Sequence, residues 1–232
     1  WDENLEVEHI QVDSIEKLPS LRGSKYLQSK VNKSYQEIKA TLENTAQKVL
    51  FVGTPCQVAG LKKIVEDERL LTCDLLCHGI PSYIPFKSYL ASLDDKIRKV
   101  NFRDKVTGWT SYSITIIGEK GISSKLFVKD RFFMGFLKDY YLNEACYNCK
   151  FNVLPRQGDI TLGDFWGISK EYDKNNEGVS VVIANNKKGY EVLKSLEESA
   201  KIKLAKIEKI TAAKSNPRIY SGEIFRPKKR DY

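Results

Sequence analysis

No apolar run in this chain of 232 residues approaches the roughly 20 residues that a membrane-crossing helix needs. The N-terminus also lacks the basic-then-apolar profile of a secretory signal. The chain therefore reads as a cytoplasmic protein with no membrane span. It opens at Trp1 without an initiator methionine, in sequence with a mid-domain character, which is compatible with a fragment of a longer protein. There is no G-x-G-x-x-G, which excludes the Rossmann mode of dinucleotide binding. No internal repeat or low-complexity segment is present, which excludes solenoids and tethers. Cysteine is sparse, five residues at positions 56, 73, 77, 146 and 149. Without a secretory signal, such a set is read as metal-binding or catalytic before it is read as a disulfide framework.

What is present is a chain 41% hydrophobic, enough for one substantial core and a single domain over residues 1–232. The net charge of +8 is spread along the chain, except for the closing Arg226-Pro-Lys-Lys-Arg230 cluster in a basic surface tail over residues 216–232. A dispersed excess points to solubility, or to an acidic or phosphate-bearing partner, and not to nucleic acid.

Residues 33–47 have helical spacing, with Ile38, Leu42 and Ala46 on one face. Lys48 to Val52 reads as a buried parallel strand, stopped by Gly53-Thr-Pro55. A helix follows from Cys56 to about Val65, and Leu70 to Leu76 is a second apolar run. This strand–helix–strand unit predicts parallel pairing with a right-handed crossover. Phe86 to Leu93 reads as a helix. Residues 98–103, 111–117 and 123–128 predict an antiparallel section with a hairpin at Gly118-Glu-Lys-Gly121. Residues 130–142 form a helix whose Phe132, Phe133, Phe136 and Tyr140 read as core. Strands are expected over 178–184 and 201–205, with an amphipathic helix over 187–199 between them. The fold class is α/β, with a mixed sheet built on the parallel unit plus the antiparallel section, and non-Rossmann.

Cys56 stands where a strand turns into a helix, and unpaired N–H groups there favour a thiolate. Cys146 and Cys149 form a C-x-x-C, whose spacing lets two sulfurs face one metal. Cys77 ends a strand beside His78. If the two strands are adjacent and parallel, Cys56 and Cys77 emerge at one carboxyl edge, where open α/β sheets place their ligands. Four thiolates from three segments can then converge, with Cys73 left over. Strand alternation puts Cys73 on the same side as Cys77, so geometry does not exclude it. Such a set suits zinc or an iron–sulfur cluster alike.

Five motifs now matter together and in order: Gly53-Thr-Pro-Cys-Gln-Val-Ala-Gly-Leu-Lys62, Cys77-His-Gly-Ile-Pro-Ser82, Asn101-Phe-Arg-Asp-Lys105 with Gly108-Trp109, Cys146-x-x-Cys149, and Asp159-Ile-Thr-Leu-Gly-Asp-Phe-Trp-Gly-Ile168. They resemble the coenzyme F420 hydrogenase/dehydrogenase beta-subunit family, to which Arg22-Gly-Ser-Lys-Tyr-Leu-Gln-Ser29 is also similar. The resemblance implies an oxidoreductase carrying FAD and a [4Fe–4S] cluster, which passes electrons between a hydride-carrying small molecule, F420 or another, and one-electron partners. It implies Cys56, Cys77, Cys146 and Cys149 as cluster ligands, and a structural Cys73 outside the shared motif. Relatives often begin with a ferredoxin-like segment, so a ferredoxin-like domain or another redox protein is the expected partner.

For the flavin, the expected contacts are Arg22, Gly23, Ser24, Lys25, Tyr26 and Gln28, together with the turn of Gly53, Thr54, Pro55 and Gln57. Arg22 and Lys25 supply charge for a pyrophosphate, and the helix start supplies N–H donors. His78, Arg103 and Asp164 are the candidate catalytic residues, with Trp166 beside them. Two other functions compete: a non-enzymatic interaction protein with a structural four-cysteine zinc site, and an enzyme with Cys56 as nucleophile and His78 as its base.

Overall fold

The computed structural model describes residues 1–227. Residues 228–232, most of the closing basic cluster, lie outside them. In chain order the elements are α1 (Ser34–Asn44), β1 (Val49–Gly53), α2 (Pro55–Lys62), β2 (Leu70–Leu75), α3 (Tyr83–Ala91), β3 (Ile97–Asp104), β4 (Ser113–Gly118), β5 (Ile122–Leu126), α4 (Arg131–Leu137), α5 (Glu144–Tyr147), β6 (Ile160–Asp164), β7 (Ser180–Ala184), α6 (Lys187–Glu198) and α7 (Lys209–Lys214).

The apolar runs on either side of α2 form the expected unit: β1 and β2 pair in parallel, with Gly53 opposite Asp74. β2 pairs in parallel with β6, and β6 pairs antiparallel with β7, giving a mixed sheet in the order β1-β2-β6-β7. The antiparallel section is a sheet of its own, β3-β4-β5. The α/β, mixed-sheet, non-Rossmann reading holds. The carboxyl ends of β1, β2 and β6 share one edge, and every candidate site residue outside the N-terminal segment and β3 lies at or beyond it.

Three cores flank this edge, one of them Phe165, Val181, Ala212 and Ile219 beyond β6. Leu42 of α1, with Val58 and Leu61 of α2, packs on Phe51 of β1. An aromatic core of Phe86, Phe102, Phe132, Phe133 and Phe136 joins α3 and α4 to β3 and β4. Ring centroids there lie 5–6 Å apart, in the tilted and stacked arrangements that aromatic quadrupoles favour.

Several elements depart from expectation. β1 is buried on one face only: Leu50 and Val52, on the other, are 58% and 44% exposed. β1 is the edge strand, with α1 and α2 both on its inner face. α3 begins at Tyr83, ahead of Pro85, because proline is tolerated in a first turn. Ser82 caps it, accepting the Ile84 N–H at 3.3 Å. The helix after residue 130 ends at Leu137, where Asp139 takes a left-handed turn (φ 61°). Residues 201–205 form no strand: Ile202 and Leu204 are half-buried between exposed lysines and enter no ladder.

At the heart of the sheet edge lies a fully buried ion pair, Asp74 of β2 with Arg156, 3.2 Å apart and both 0% exposed at the side chain. Asp74 also accepts the N–H groups of Gln157 and Gly158 (2.9 Å each). Arg156 donates to Leu75 O and Asn152 Oδ1, and Asn152 Nδ2 in turn donates to Cys77 O (2.6 Å). The pair thereby fixes both the loop after the C-x-x-C and the backbone of Cys77.

Candidate functional site

Cys56 and Cys77 leave adjacent parallel strands at the same carboxyl edge. Thr54 is the N-cap of α2, with Pro55 and Cys56 as its first two residues. Gln57 Oε1 reaches back to the Thr54 N–H (3.0 Å), and Thr54 Oγ1 stands 3.2 Å from Cys56 Sγ. The Cys146–Cys149 turn is laced to the Cys77 loop: Asn143 N–H donates to Ile80 O (2.8 Å), and Ser82 N–H donates to Tyr141 O (3.2 Å).

Two of the four thiols, Cys77 and Cys146, are held neutral by their surroundings. Burial pushes the Cys77 thiol up to about 12; the Gly79 N–H opposes this, while the charges of Cys146 and Cys56 add to it. Burial also raises Cys146, opposed by the Ile80 N–H and reinforced by Cys149 and Cys56. Backbone N–H groups aimed at two sulfurs are the donors that stabilise thiolates or sulfur-bound metal. Gly79 reaches its position with φ 141°, where a Cβ would also meet Leu142 at 2.8 Å. Among the described residues, no three His, Cys, Asp or Glu side chains close to the spacing of a single metal ion. Cys73 is buried in β2, its thiol pushed up to about 11 by burial and by the Asp74 charge.

These environments predict a reactivity order. In the metal-free protein at pH 8, exposed Cys56 should alkylate first. Cys77, with thiolate roughly three orders of magnitude scarcer than in free cysteine, should react last together with Cys73. Because both pKa values are raised, their reactivity should climb as pH rises towards 11–12. Peptide mapping after timed iodoacetamide treatment measures this, and fast labelling of Cys77 at pH 8 would contradict it.

Arg103, Asp164 and Tyr26 come together beside this edge. Arg103 is buried, with its guanidinium 4.1 Å from the Tyr112 ring centroid and 5.2 Å from that of Trp166. It pairs with Asp164, the last residue of β6, at 3.2 Å and donates to the Tyr26 hydroxyl at 3.4 Å. Asp164 and Trp166 stay partly open to solvent, and Trp166 stacks on Trp109 at 4.6 Å. Tyr26 is held at φ 40°, a conformation that non-glycine residues seldom adopt. Burial raises its phenol; the Arg103 charge opposes this and the Asp164 charge adds to it.

His78 lies on the cysteine side. Its Nε2 meets Asp139 Oδ1 at 2.7 Å, and its ring packs edge-on to Phe136. Phe136 also touches Tyr26, so the sequence Arg103, Tyr26, Phe136, His78 joins the two halves of the edge by direct contact.

The N-terminal segment bridges the same region. Gln57 Nε2 donates to Ser29 O (2.9 Å), while Gln28 accepts from Tyr83 OH at its carbonyl and from Asn143 Nδ2 at Oε1, both at 3.0 Å. Gln57 of the Gly53–Gln57 turn is thus tied to Ser29, the residue after Gln28. Arg22, Gly23 and Ser24 are exposed, and Lys25 folds back onto the carbonyls of Arg22 and Gly23. An open hollow of about 690 Å³ lies at the other end of the sheet, among Lys48, Glu68, Arg69 and Lys188, away from the thiols.

The motif order, the parallel unit and this shared edge agree with one finding: the family model describing the C terminus of the coenzyme F420 hydrogenase/dehydrogenase beta subunit matches residues 46–210. The chain belongs to that family. Among curated proteins, none matches it. Membership of the F420 hydrogenase/dehydrogenase beta-subunit family gives the chain an oxidoreductase role as one part of a redox complex. No helix among the described residues is long and apolar enough to cross a membrane. The matched span contains all five cysteines, His78, Arg103 and Asp164, but neither Arg22–Gln28 nor the chain beyond residue 210.

Sequence reasoning missed Tyr112, Asp139 and Arg156, and most of all residues 216–226. Asn216 and Ile219 are buried, and the segment runs as a strap across the C-x-x-C turn. Asp74 was the one legible signal, a charge inside an apolar strand that demands a partner.

Proposed function

We propose that the chain is a flavin and iron–sulfur oxidoreductase that passes electrons between a hydride-carrying small molecule and a one-electron partner such as a ferredoxin-like domain. Cys56, Cys77, Cys146 and Cys149 would hold a [4Fe–4S] cluster. FAD would lie along the carboxyl edge between Arg22–Gln28, the Gly53–Gln57 turn and the Arg103–Asp164 pair. The observation that supports this reading is that Cys56 and Cys77 leave adjacent parallel strands at one sheet edge, with the Cys146–Cys149 turn hydrogen-bonded to the Cys77 loop and the Arg103–Asp164–Tyr26 group beside it.

The four-cysteine donor set suits the [4Fe–4S] cluster that the family resemblance implies, and by donor type it would also take zinc. Four sulfurs on one zinc stand about 3.8 Å apart, given Zn–S bonds of about 2.3 Å and tetrahedral geometry. In a cluster each thiolate binds a different iron, so the sulfurs stand further apart. The two arrangements therefore differ in sulfur spacing and in metal content, and metal analysis tells them apart. A Cys56 nucleophile with His78 as its base finds less support: Cys56 Sγ contacts Thr54, and His78 bonds Asp139.

Bound there, the flavin supplies hydride acceptance and the cluster supplies one-electron storage, the pairing that links two-electron to one-electron chemistry. The chain's own residues orient and tune. Arg103 presents a fixed positive charge to an anionic ring edge or a substrate carboxylate. Asp164, partly open, accepts a hydrogen bond from a ring N–H. Trp166, stacked on Trp109, offers a planar face, and Phe136 with Tyr26 keeps water from the space between the two halves. Asp139 holds His78 Nε2, which leaves Nδ1 to take or give a proton.

The test is anaerobic reconstitution of the full chain with iron, sulfide and FAD, followed by reduction of a one-electron dye by a reduced deazaflavin or nicotinamide. Dye reduction that is lost in Cys77→Ser supports the proposal. A reconstituted protein inert towards both hydride donors, with wild-type and variant alike, refutes it.

A further inference from the structure

We propose that Arg218 is a positioning residue of the thiol edge: carried on the strap of residues 216–226, it fastens the Cys77 loop to the segment that grips the Cys146–Cys149 turn. The inference rests on the reading of those cysteines as one ligand set.

Arg218 Nε donates to Cys77 O (3.1 Å), while Nη1 donates to the carbonyls of Ser221 and Glu223 (3.0 Å each). Two of these acceptors belong to the strap itself, so the guanidinium curls it into a hook. The hook's Gly222 O accepts the Cys149 N–H (3.0 Å), and its Ile224 N–H donates to Tyr147 O (2.9 Å). Glu223 bridges Asn148 in antiparallel fashion. Arg226 completes the grip, paired with Glu144 and lying 4.4 Å over the Tyr147 ring. On its other side the strap is anchored by Arg156, whose Nη1 donates to Arg218 O (3.2 Å). One side chain therefore adds, through the strap, a second tie between two cysteine segments that the antiparallel Pro81–Leu142 bridge also joins.

The same guanidinium places a cation against the Cys77 backbone, at the edge where the proposed ligand thiols gather. A cation beside ligand thiols favours their ionised, metal-binding form and favours the added electron when the centre is reduced. Arg218 lies beyond the residues that the family model matches.

Three full-length variants separate geometry from charge. Arg218→Gln removes both, Arg218→Lys keeps charge without the planar fork, and Gly222→Ala leaves Arg218 intact while driving a Cβ into Cys149 O. Hydrogen exchange of the metal-free chain should show Cys149 and Ile224 amides exchanging roughly tenfold faster in Arg218→Gln and Gly222→Ala, with β2 amides unchanged. After reconstitution, Arg218→Gln should retain less than half the wild-type iron and shift the reduction potential downwards. Arg218→Lys should restore the potential but not the exchange protection. Wild-type protection of those amides in Arg218→Gln, or in Gly222→Ala should the former not fold, overturns the clamp. If the wild-type chain retains no iron, the cluster reading falls, while the exchange data still decide the role of Arg218.

Discussion

Replacing Arg156 with methionine should destabilise the folded chain by about 3–5 kcal/mol, the usual cost of stranding one charge of a buried pair. Asp74 and Arg156 are fully buried, so the Asp74 carboxylate would keep only two backbone N–H groups. Arg156 Nε is itself buried without a partner, so the native pair is already incompletely satisfied. The large cost of Arg156→Met therefore comes from the abandoned charge and not from a bond of unusual strength. Asp74→Asn combined with Arg156→Met should recover a substantial part of the loss, because no net charge then remains buried. Urea denaturation of the metal-free proteins measures both. A cost below about 1 kcal/mol for Arg156→Met would contradict the account. Because Arg156 orders Asn152, which holds Cys77 O, this variant should also load less iron than its stability alone implies.

Arg103→Gln should weaken FAD binding by roughly ten- to a hundredfold, the worth of about 1.5–3 kcal/mol for a charge-assisted hydrogen bond. The guanidinium lies against Tyr112 and Trp166 and faces the open Asp164 carboxylate, so its loss removes a cation and leaves an anion at the proposed ring edge. Arg103→Lys should recover only part of the affinity, since an ammonium cannot stack in the same plane. Fluorescence titration of the apoprotein with FAD, beside a melting curve for each variant, separates lost binding from lost folding. Unchanged affinity in Arg103→Gln would move the flavin away from Asp164 and Trp166.

Local signals in the sequence were dependable where one segment decides its own structure. Two apolar runs around Thr54-Pro55-Cys56 announced β1, α2 and β2, and their adjacency put Cys56 and Cys77 at one edge. The aromatic spacing of Phe132, Phe133 and Phe136 identified the main core. Pro85 misled because proline breaks a helix interior but not its first turn. Residues 201–205 alternate like a strand yet bury too little apolar surface to hold an edge position. The separation of β3-β4-β5 into its own sheet depends on which strands meet, and no local pattern encodes that. The strap of residues 216–226 was illegible for the same reason. Its hydrogen bonds go to Cys77, Tyr147 and Cys149, far away in sequence, and its basic composition resembles a solvated tail. Asp74 advertised a missing partner, but nothing in the sequence singled out Arg156 from the other arginines.

The central claim is that one inorganic centre joins positions 56, 77, 146 and 149. Iron and acid-labile sulfide analysis with Mössbauer spectroscopy of the anaerobically reconstituted chain tests it most directly. The account predicts about four irons and four sulfides per chain in a cubane signature, lost in each of Cys56→Ser, Cys77→Ser, Cys146→Ser and Cys149→Ser and kept in Cys73→Ser. A colourless protein holding a single zinc, or iron that survives the loss of Cys77, would contradict it.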